Sequence, residues 1–466
     1  MNPYAPTEDP GLEWLADVPA HWEVSRIKNV AEVLFSNVDK HSKEGERPVR
    51  LCNYSDVYYN DSIDADLDFM NATATKEEID RFRLAPDDVL LTKDSETWDD
   101  IGVPSLVREA DGNLICGYHL ALLRPISSKL LGQCLYWSLS CREVASQLHV
   151  RANGVTRFGL SQGVVKSVRI PIPPVAEQAA IARFLDDATR RIDRHIRAKE
   201  KLIALLEERK RAIIREAVTG RVDVRTGEPY PDYKPSGLEW FGDVPRHWKV
   251  RKIRHCGTIS GGMTPSMANR SYWGGDVPWV TPKDMKVDLV DRAAINVSAK
   301  AVEETSLKLL PSRVVLLVVR GMILARRVPI AVTGKEVTIN QDMKAVYPAA
   351  GILPEFLAGQ MTSAQDALLA MTDQAGHGTR RLPTERWRDL GVCIPPQTEQ
   401  QEIIQRLARN QTAAVATIAR VAQQLEALRE YRTRLIADVV TGKLDVRHLA
   451  VELNEVHAGQ ARDVPP

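Results

Sequence analysis

His21 and His247, each followed by a tryptophan, are the residues whose type and repetition first suggest a metal or a stacking site. They sit in GLEWLADVPAHWEV (residues 11–24) and GLEWFGDVPRHWKV (residues 237–250), identical at ten of fourteen positions. A zinc site needs further ligands at close spacing, and no carboxylate or cysteine cluster accompanies either histidine. Cys52, Cys116, Cys134, Cys141, Cys256 and Cys393 are scattered without a CxxC pair, so they read as reduced, buried thiols. Pro19 and Pro245 break any helix here. The paired Trp14/Trp22 and Trp240/Trp248 are therefore expected to pin an extended segment under the ends of neighbouring helices. There is no Walker sequence, Gly261–Gly262 lead into Met-Thr-Pro rather than a helix, and no Asp, Glu and Lys cluster has the strand context of a nuclease. Catalysis by this chain is not expected.

The scaffold that places these residues is itself doubled. IPPVAEQAAIARFL begins at Ile172 and IPPQTEQQEIIQRL at Ile394; AVTGRVDVR then ends at Arg225 and VVTGKLDVR at Arg447. The chain is thus two half-proteins of about 222–226 residues. Their order is cyclic. The first closing motif runs into the second GLEW segment, while the counterpart of the last one stands at the N-terminus, which predicts residues 1–30 packed beside 440–450.

Between Glu177 and Ala217 there is no Gly or Pro, and Leu185, Thr189, Ile192, Ile196, Lys199, Ile203, Leu206, Lys210, Ile213 and Ala217 follow a 4-3 spacing. Leu407 to Val439 repeats it. Such periodicity predicts long coiled-coil helices of about 60 Å. Pro173–Pro174 and Pro395–Pro396 stop the preceding strands, and Gly220 and Gly442 end the helices. Two separate amphipathic helices, each packed on its own domain, would give the same spacing. Matching lengths and registers favour one antiparallel pair, with Thr189, Gln411, Lys210 and Arg432 as register or partner-binding points.

These signals divide the chain into an N-terminal repeat segment (1–30), a first globule (31–171), a central region with the first long helix (172–225), and a linker with the second repeat segment (226–255). A second globule (256–393), a distal region with the second long helix (394–448) and a mobile tail (449–466) follow. The globules share little sequence, yet LAPDDVLLTKDS parallels LLPSRVVLLVVR and GYHLALLRP parallels NQDMKAVYP. Short β-rich runs broken by Gly and Pro mark both as mixed α/β. A common scaffold with divergent surfaces is expected where each globule recognises a different target. With 62 basic against 61 acidic residues, any polyanion surface must be local. No apolar run approaches the roughly 20 residues of a membrane span, and the N-terminus lacks the pattern of a signal peptide; a cytoplasmic protein is expected.

The doubled set of PAHWEV and PRHWKV segments and IPP-x-x-EQ helix starts resembles the specificity subunit of type I restriction–modification systems over essentially the whole chain. SGGMTPSMANRSYWGGDVPWVTPKDM, similar to the family's common opening of a target-recognition domain, adds to the resemblance. It implies an α+β fold of two pseudo-symmetric halves, each a mixed α/β target-recognition domain followed by a long helix, the two helices forming an antiparallel coiled coil. It implies further that each domain reads one half of an asymmetric, bipartite site in double-stranded DNA, with the helices as a ruler for the gap. Two methyltransferase subunits, which modify adenine N6, and two restriction subunits are the implied partners. S-adenosylmethionine, ATP and Mg belong to those partners, and no cofactor to this chain. A methyltransferase would itself need a Gly-rich cofactor loop and an acidic-or-Asn Pro-Pro aromatic motif; Asn2-Pro3-Tyr4 lacks the second proline.

Base edges are read by side chains that present donors and acceptors, backed by phosphate contacts. In the first domain the candidates are Lys93, Arg151, Asn153, Thr156, Arg157 and Ser161. In the second they are Thr264, Ser266, Lys283, Asn340, Gln341, Thr379, Arg380 and Arg381. Arg and Thr in loops also serve simply to solvate a surface. The first domain carries 16 Lys and Arg against 21 Asp and Glu over residues 31–169, so its DNA face must be segregated from stretches such as YYNDSIDADLDF. Two other readings fit the same chain: a specificity subunit of a methylation-based defence system without a classical restriction subunit, and a coiled-coil adaptor that binds no DNA.

Overall fold

The computed structural model describes residues 4, 7–9, 11, 15, 18–375 and 378–448. Trp14, Asn2, Pro3, Gly376, His377 and the tail 449–466 lie outside these. The chain folds as two compact units, residues 1–200 with 423–466, and residues 201–422.

In the first unit the strands that frame the site are β1 (Ala31–Phe35), β2 (Ser62–Ile63), β3 (Val89–Thr92), β4 (Asp94–Ser95), β5 (Pro104–Val107), β6 (Leu120–Pro125), β7 (Asn153–Gly154) and β8 (Phe158–Gly159). Five of them form a sheet in the order β1-β6-β3-β5-β2, antiparallel except for the β5–β2 pair. β3 reads VLLT and is buried throughout, the mark of a central strand covered on both faces. Its residues alternate between two cores. Val89 and Leu91 pack with Leu135 and Leu148 on one side, while Leu90 packs with Leu51 and Phe82 on the other. Between β1 and β3, Thr75 and Glu78 close a capping box that starts a short helix, Lys76–Phe82.

The second unit repeats this order. Its corresponding strands are β9 (Gly257–Gly261), β10 (Leu289–Val290), β11 (Val315–Val318), β12 (Arg320–Gly321), β13 (Ile330–Thr333), β14 (Met343–Pro348), β15 (Asp373–Ala375) and β16 (Thr379–Arg381). The main sheet runs β9-β14-β11-β13-β10, again with one parallel pair, β13–β10. Asp87 and Arg313, which lead into the matching central strands, are the two non-glycine residues with positive φ among the described residues. This pairs Asp87 with Arg313, an offset of 226, one more than the direct alignment of LAPDDVLLTKDS with LLPSRVVLLVVR gives.

Two helices of 44 residues follow the Pro-Pro pairs: α1 (Val175–Val218) and α2 (Gln397–Val440). The EQ of each helix start has a mechanical reason. Gln178 is fully buried; it accepts from the Leu131 amide at 2.9 Å and donates to the carbonyls of Lys129 and Pro173. Gln400 does the same with Leu353, Gly351 and Pro395. Each glutamine thus satisfies backbone groups of a turn that precedes a globule helix, and so welds the globule to the long helix.

Within the first unit the helices run in opposite directions. Arg432 pairs with Asp193 at 2.9 Å, and Lys199 donates to Gln424 at 2.7 Å, so one residue number falls as the other rises. Thr189 is buried and turns its hydroxyl back to the Leu185 carbonyl. In the second unit Ile403 and Leu407 share a core with Ala217 and Val218.

Gly442 has φ +74°, and a Cβ there would lie 2.2 Å from Pro19 Cδ. Gly220, at φ +71°, meets Pro245 Cδ at 2.5 Å in the same way. Both backbone conformation and space therefore demand glycine where each helix ends on a repeat segment. Gly442→Ala is expected to destabilise the first unit by about 2 kcal/mol, from left-handed strain and the forced shift of Pro19. Urea unfolding checks this; a change below about 0.5 kcal/mol would contradict the packing described.

Candidate nucleic-acid interface

Beyond the C-terminal end of each central strand the chain builds a second, smaller sheet. In the first unit β4 pairs with β8 and β8 with β7, so the loop 150–160 folds back onto the segment that leaves the core. In the second unit β12 pairs with β16 and β16 with β15. The register is equivalent: Asp94 faces Gly159 and Asn153 follows on the next strand, while Arg320 faces Arg381 and Asp373 follows. A long-range hairpin is thus laid twice on the same stub of strand.

Around the first of these sheets a polar cluster forms. Arg157 donates to Asp94 Oδ1 at 2.5 Å, and His119 Nδ1 lies 2.7 Å from Asp94 Oδ2. Asp94 is largely buried, whereas Arg157 is 60% exposed, so the carboxylate fixes the root of a guanidinium that reaches solvent. The Lys93 ammonium donates to the Ser36 carbonyl at 2.9 Å and lies 4.5 Å from the centroid of the exposed Tyr118 ring. Burial holds this lysine below its ordinary pKa. Asn153 and Thr156 are exposed on the hairpin. Arg151 is exposed and donates to Ser167 Oγ at 2.8 Å. Ser161 accepts from the Val164 amide as the cap of the helix Gln162–Ser167. Its role is to start that helix.

The second sheet gathers candidates from more distant segments. Thr264 donates its hydroxyl to Gln341, and Met263 donates its amide to the Ile339 carbonyl at 3.0 Å. The Asp342 carbonyl accepts from the amides of Val319 and Arg320, joining Gln341 to β12. Asn340 is buried, and its side chain closes a turn with Asp342. Ser266 is exposed and its carbonyl accepts from Trp273 Nε1 at 3.1 Å. Thr379, Arg380 and Arg381 line β16; Arg380 donates to Thr372 Oγ1, and Arg381 is exposed. Lys283 is exposed in the turn that Thr281 and Asp284 close, apart from the other candidates.

So the fold brings together Lys93, Asn153 and Arg157 in one unit, and Thr264, Gln341, Arg380 and Arg381 in the other. Sequence reasoning missed Asp94, Tyr118, His119 and Arg320. The shifted alignment hid the correspondence of Asp94 with Arg320. In the acidic stretch 58–69, Ser62–Ile63 is the far edge strand β2 and Asp61 faces Arg432 at 3.9 Å, whereas Tyr58 stacks on Tyr54 and donates to Asp100 at 2.7 Å.

The paired histidines belong to another kind of site. His247 Nε2 lies 2.7 Å from Glu399 Oε2, while Glu399 Oε1 accepts from Tyr230 at 2.6 Å and Trp248 Nε1 at 2.9 Å. Glu177 is held likewise by His21 at 3.0 Å and by the Tyr4 hydroxyl. Desolvation and the neighbouring glutamate push both tyrosine hydroxyls well above their ordinary range. Next to each, an arginine grips an aspartate, Arg225 with Asp223 at 2.7 Å and Arg447 with Asp445 at 2.6 Å, which holds the carboxyls below their usual range. These are one carboxylate with several donors, a packing joint. Among the described residues no three His, Cys, Asp or Glu side chains are grouped to hold a metal. The six cysteines are buried and unbridged, and burial pushes the Cys134 thiol up to about 12. Among the described residues no helix is long and apolar enough to cross a membrane.

Known proteins share this organisation. The family model described as type I restriction modification DNA specificity domain matches twice, over residues 19–204 and 245–427. The type I restriction enzyme MjaIX specificity subunit of Methanocaldococcus jannaschii is 31% identical over 166 residues, 35% of this chain and 38% of the relative. The EcoR124I/EcoR124II specificity subunit of Escherichia coli is 29% identical over 253 residues, 53% of this chain and 56% of the relative. The matched stretches thus span about half or less of these relatives. A solved structure reported for the assembly and conformational transition of a type I R-M system superposes with TM-score 0.68 at 17% identity. It covers 92% of this chain and 99% of its own, a likeness of fold.

Proposed function

Because this chain belongs to the type I restriction–modification DNA specificity family, we propose that it selects an asymmetric, two-part DNA sequence for a methyltransferase and carries out no catalysis itself. One observation carries this reading. The same five-strand order occurs twice, each time with a hairpin added at the end of the central strand, and the side chains on those two hairpins differ. A fold that duplicates its frame and diversifies one edge is suited to reading two different half-sites.

Under this reading Arg151, Asn153, Thr156 and Arg157 contact DNA from the first domain. Thr264, Ser266, Lys283, Gln341, Thr379, Arg380 and Arg381 do so from the second. Lys93, Ser161 and Asn340, whose side chains are engaged within the protein, shape the two surfaces. Arginines serve guanine edges and phosphates, and Gln341 suits adenine. The helices α1 and α2 set the gap, and their outward faces dock two modification subunits that bring S-adenosylmethionine. Restriction subunits with ATP and Mg join that complex in the cytoplasm.

Co-expression with the neighbouring methyltransferase in a host free of adenine methylation tests the reading directly. Sequencing of that DNA for N6-methyladenine is expected to give one split, asymmetric motif that vanishes when this chain is omitted. Methylation that is absent or unchanged despite a stable complex would favour an adaptor that binds no DNA.

A further inference from the structure

The two hairpin sheets can be compared position by position, because their register is fixed by the same backbone pairs. Asp94 and Arg320 are both the first residue of the stub strand, facing Gly159 and Arg381. Behind them, the amides of Lys93 and Val319 donate to the carbonyls of His119 and Asp342, so these two are also equivalent. The residues before them, Tyr118 and Gln341, are both exposed. Three adjacent places therefore carry Asp, His and Tyr in one unit and Arg, Asp and Gln in the other. At the first place a carboxylate in one unit, Asp94, stands where the other has a guanidinium, Arg320. Packing does not explain such an exchange, since the neighbouring core strands keep the same apolar residues at matching depth, Val89 and Val315.

We infer that residues 94 and 320 decide which base is preferred at one position of each half-site. The inference rests on the DNA-reading function proposed above. In the second unit Arg320 is exposed beside Arg381, and it acts directly, as a fork of donors suited to guanine O6 and N7. In the first unit Asp94 is a positioning residue. It holds the Arg157 guanidinium and the His119 ring by one oxygen each, so Arg157 meets the groove already oriented and loses less side-chain freedom on binding. Tyr118 and Gln341, standing next to these pairs, offer the apolar and the amide contacts that complete each set.

The experiment is the methylome of the co-expressed complex carrying Asp94→Asn, Asp94→Glu or Arg320→Gln, beside the unaltered chain. Arg320→Gln is expected to lower methylation at the preferred base of one position at least tenfold relative to other bases there, in one half of the motif only. Asp94→Asn is expected to relax one position in the other half, and Asp94→Glu to restore it in part. Folded complexes whose motifs match the unaltered one would overturn the inference while leaving the proposed function standing. If the unaltered chain gives no split motif, the proposed function itself fails. Should Asp94→Asn or Arg320→Gln not co-purify with the methyltransferase, Tyr118→Ala and Gln341→Ala decide. Both side chains lie on the surface, and a change confined to opposite halves supports the assignment, whereas unchanged motifs overturn it.

Discussion

Glu399→Ala is expected to cost about 3–5 kcal/mol, the largest loss of any single substitution at the repeated segments. Glu399 is 6% exposed in the first turn of α2. Its two oxygens serve Tyr230, Trp248 and His247, the last two from the repeat segment that begins at Gly237. Removing the carboxylate leaves two buried donors without an acceptor and takes away an anion from the positive end of a helix. Glu399→Gln keeps the shape and one acceptor oxygen, and should cost about 1 kcal/mol. Glu177→Ala should cost less than Glu399→Ala by about 1 kcal/mol, because among the described residues Trp22 Nε1, unlike that of Trp248, has no partner to lose. Urea unfolding followed by tryptophan fluorescence reads all three, since Trp22 and Trp248 stand in the two clusters. Equal, small losses in both alanine variants would show that neither joint bears on stability.

Removal of one heptad from each long helix, residues 203–209 and 416–422, is expected to move the half-sites closer without changing their bases. Seven residues at 1.5 Å amount to about 10.5 Å of helix, which equals about three base pairs at 3.4 Å. A whole heptad preserves the apolar seam, so the helices keep their pairing face. The methylated motif should then carry a gap about three base pairs shorter, and methylation should fall because the half-sites are also rotated about the DNA axis. An unchanged gap in a folded complex would remove the ruler from the proposed function. The same half-sites at a new spacing would separate the reading surfaces from the frame that spaces them.

Much of the frame is legible in the sequence. The Pro-Pro pairs, the gap-free 4-3 spacing and the terminal Gly220 and Gly442 predict helices over about 177–217 and its repeat, and α1 and α2 span 175–218 and 397–440. These are local signals: a ring that removes an amide donor, a 3.6-residue period, and a residue free to take positive φ. The invariant GLEW and IPP-x-x-EQ pairs point to a doubled joint, although nothing in them says that Glu399 meets Tyr230, 169 residues away. The site was legible only in part. Arg157, Gln341, Arg380 and Arg381 stand out as polar residues in glycine-flanked loops, whereas Ser161 and Asn340 look the same in sequence and turn out to cap a helix and close a turn.

What the sequence determined by itself, then, is the two-fold repeat, the α+β class and the length of both helices, because each rests on patterns that repeat within a few residues or along the whole chain. Tertiary structure alone decided the strand order, and the pairing of β4 with β8 and of β12 with β16. It alone made Asp94 and Arg320 equivalents that face the same place with opposite charge. Those facts depend on hydrogen bonds between segments about sixty residues apart. A short strand such as Asp94–Ser95 has no periodicity of its own to announce its partner; the folded core fixes where it ends, and so what can pair with it.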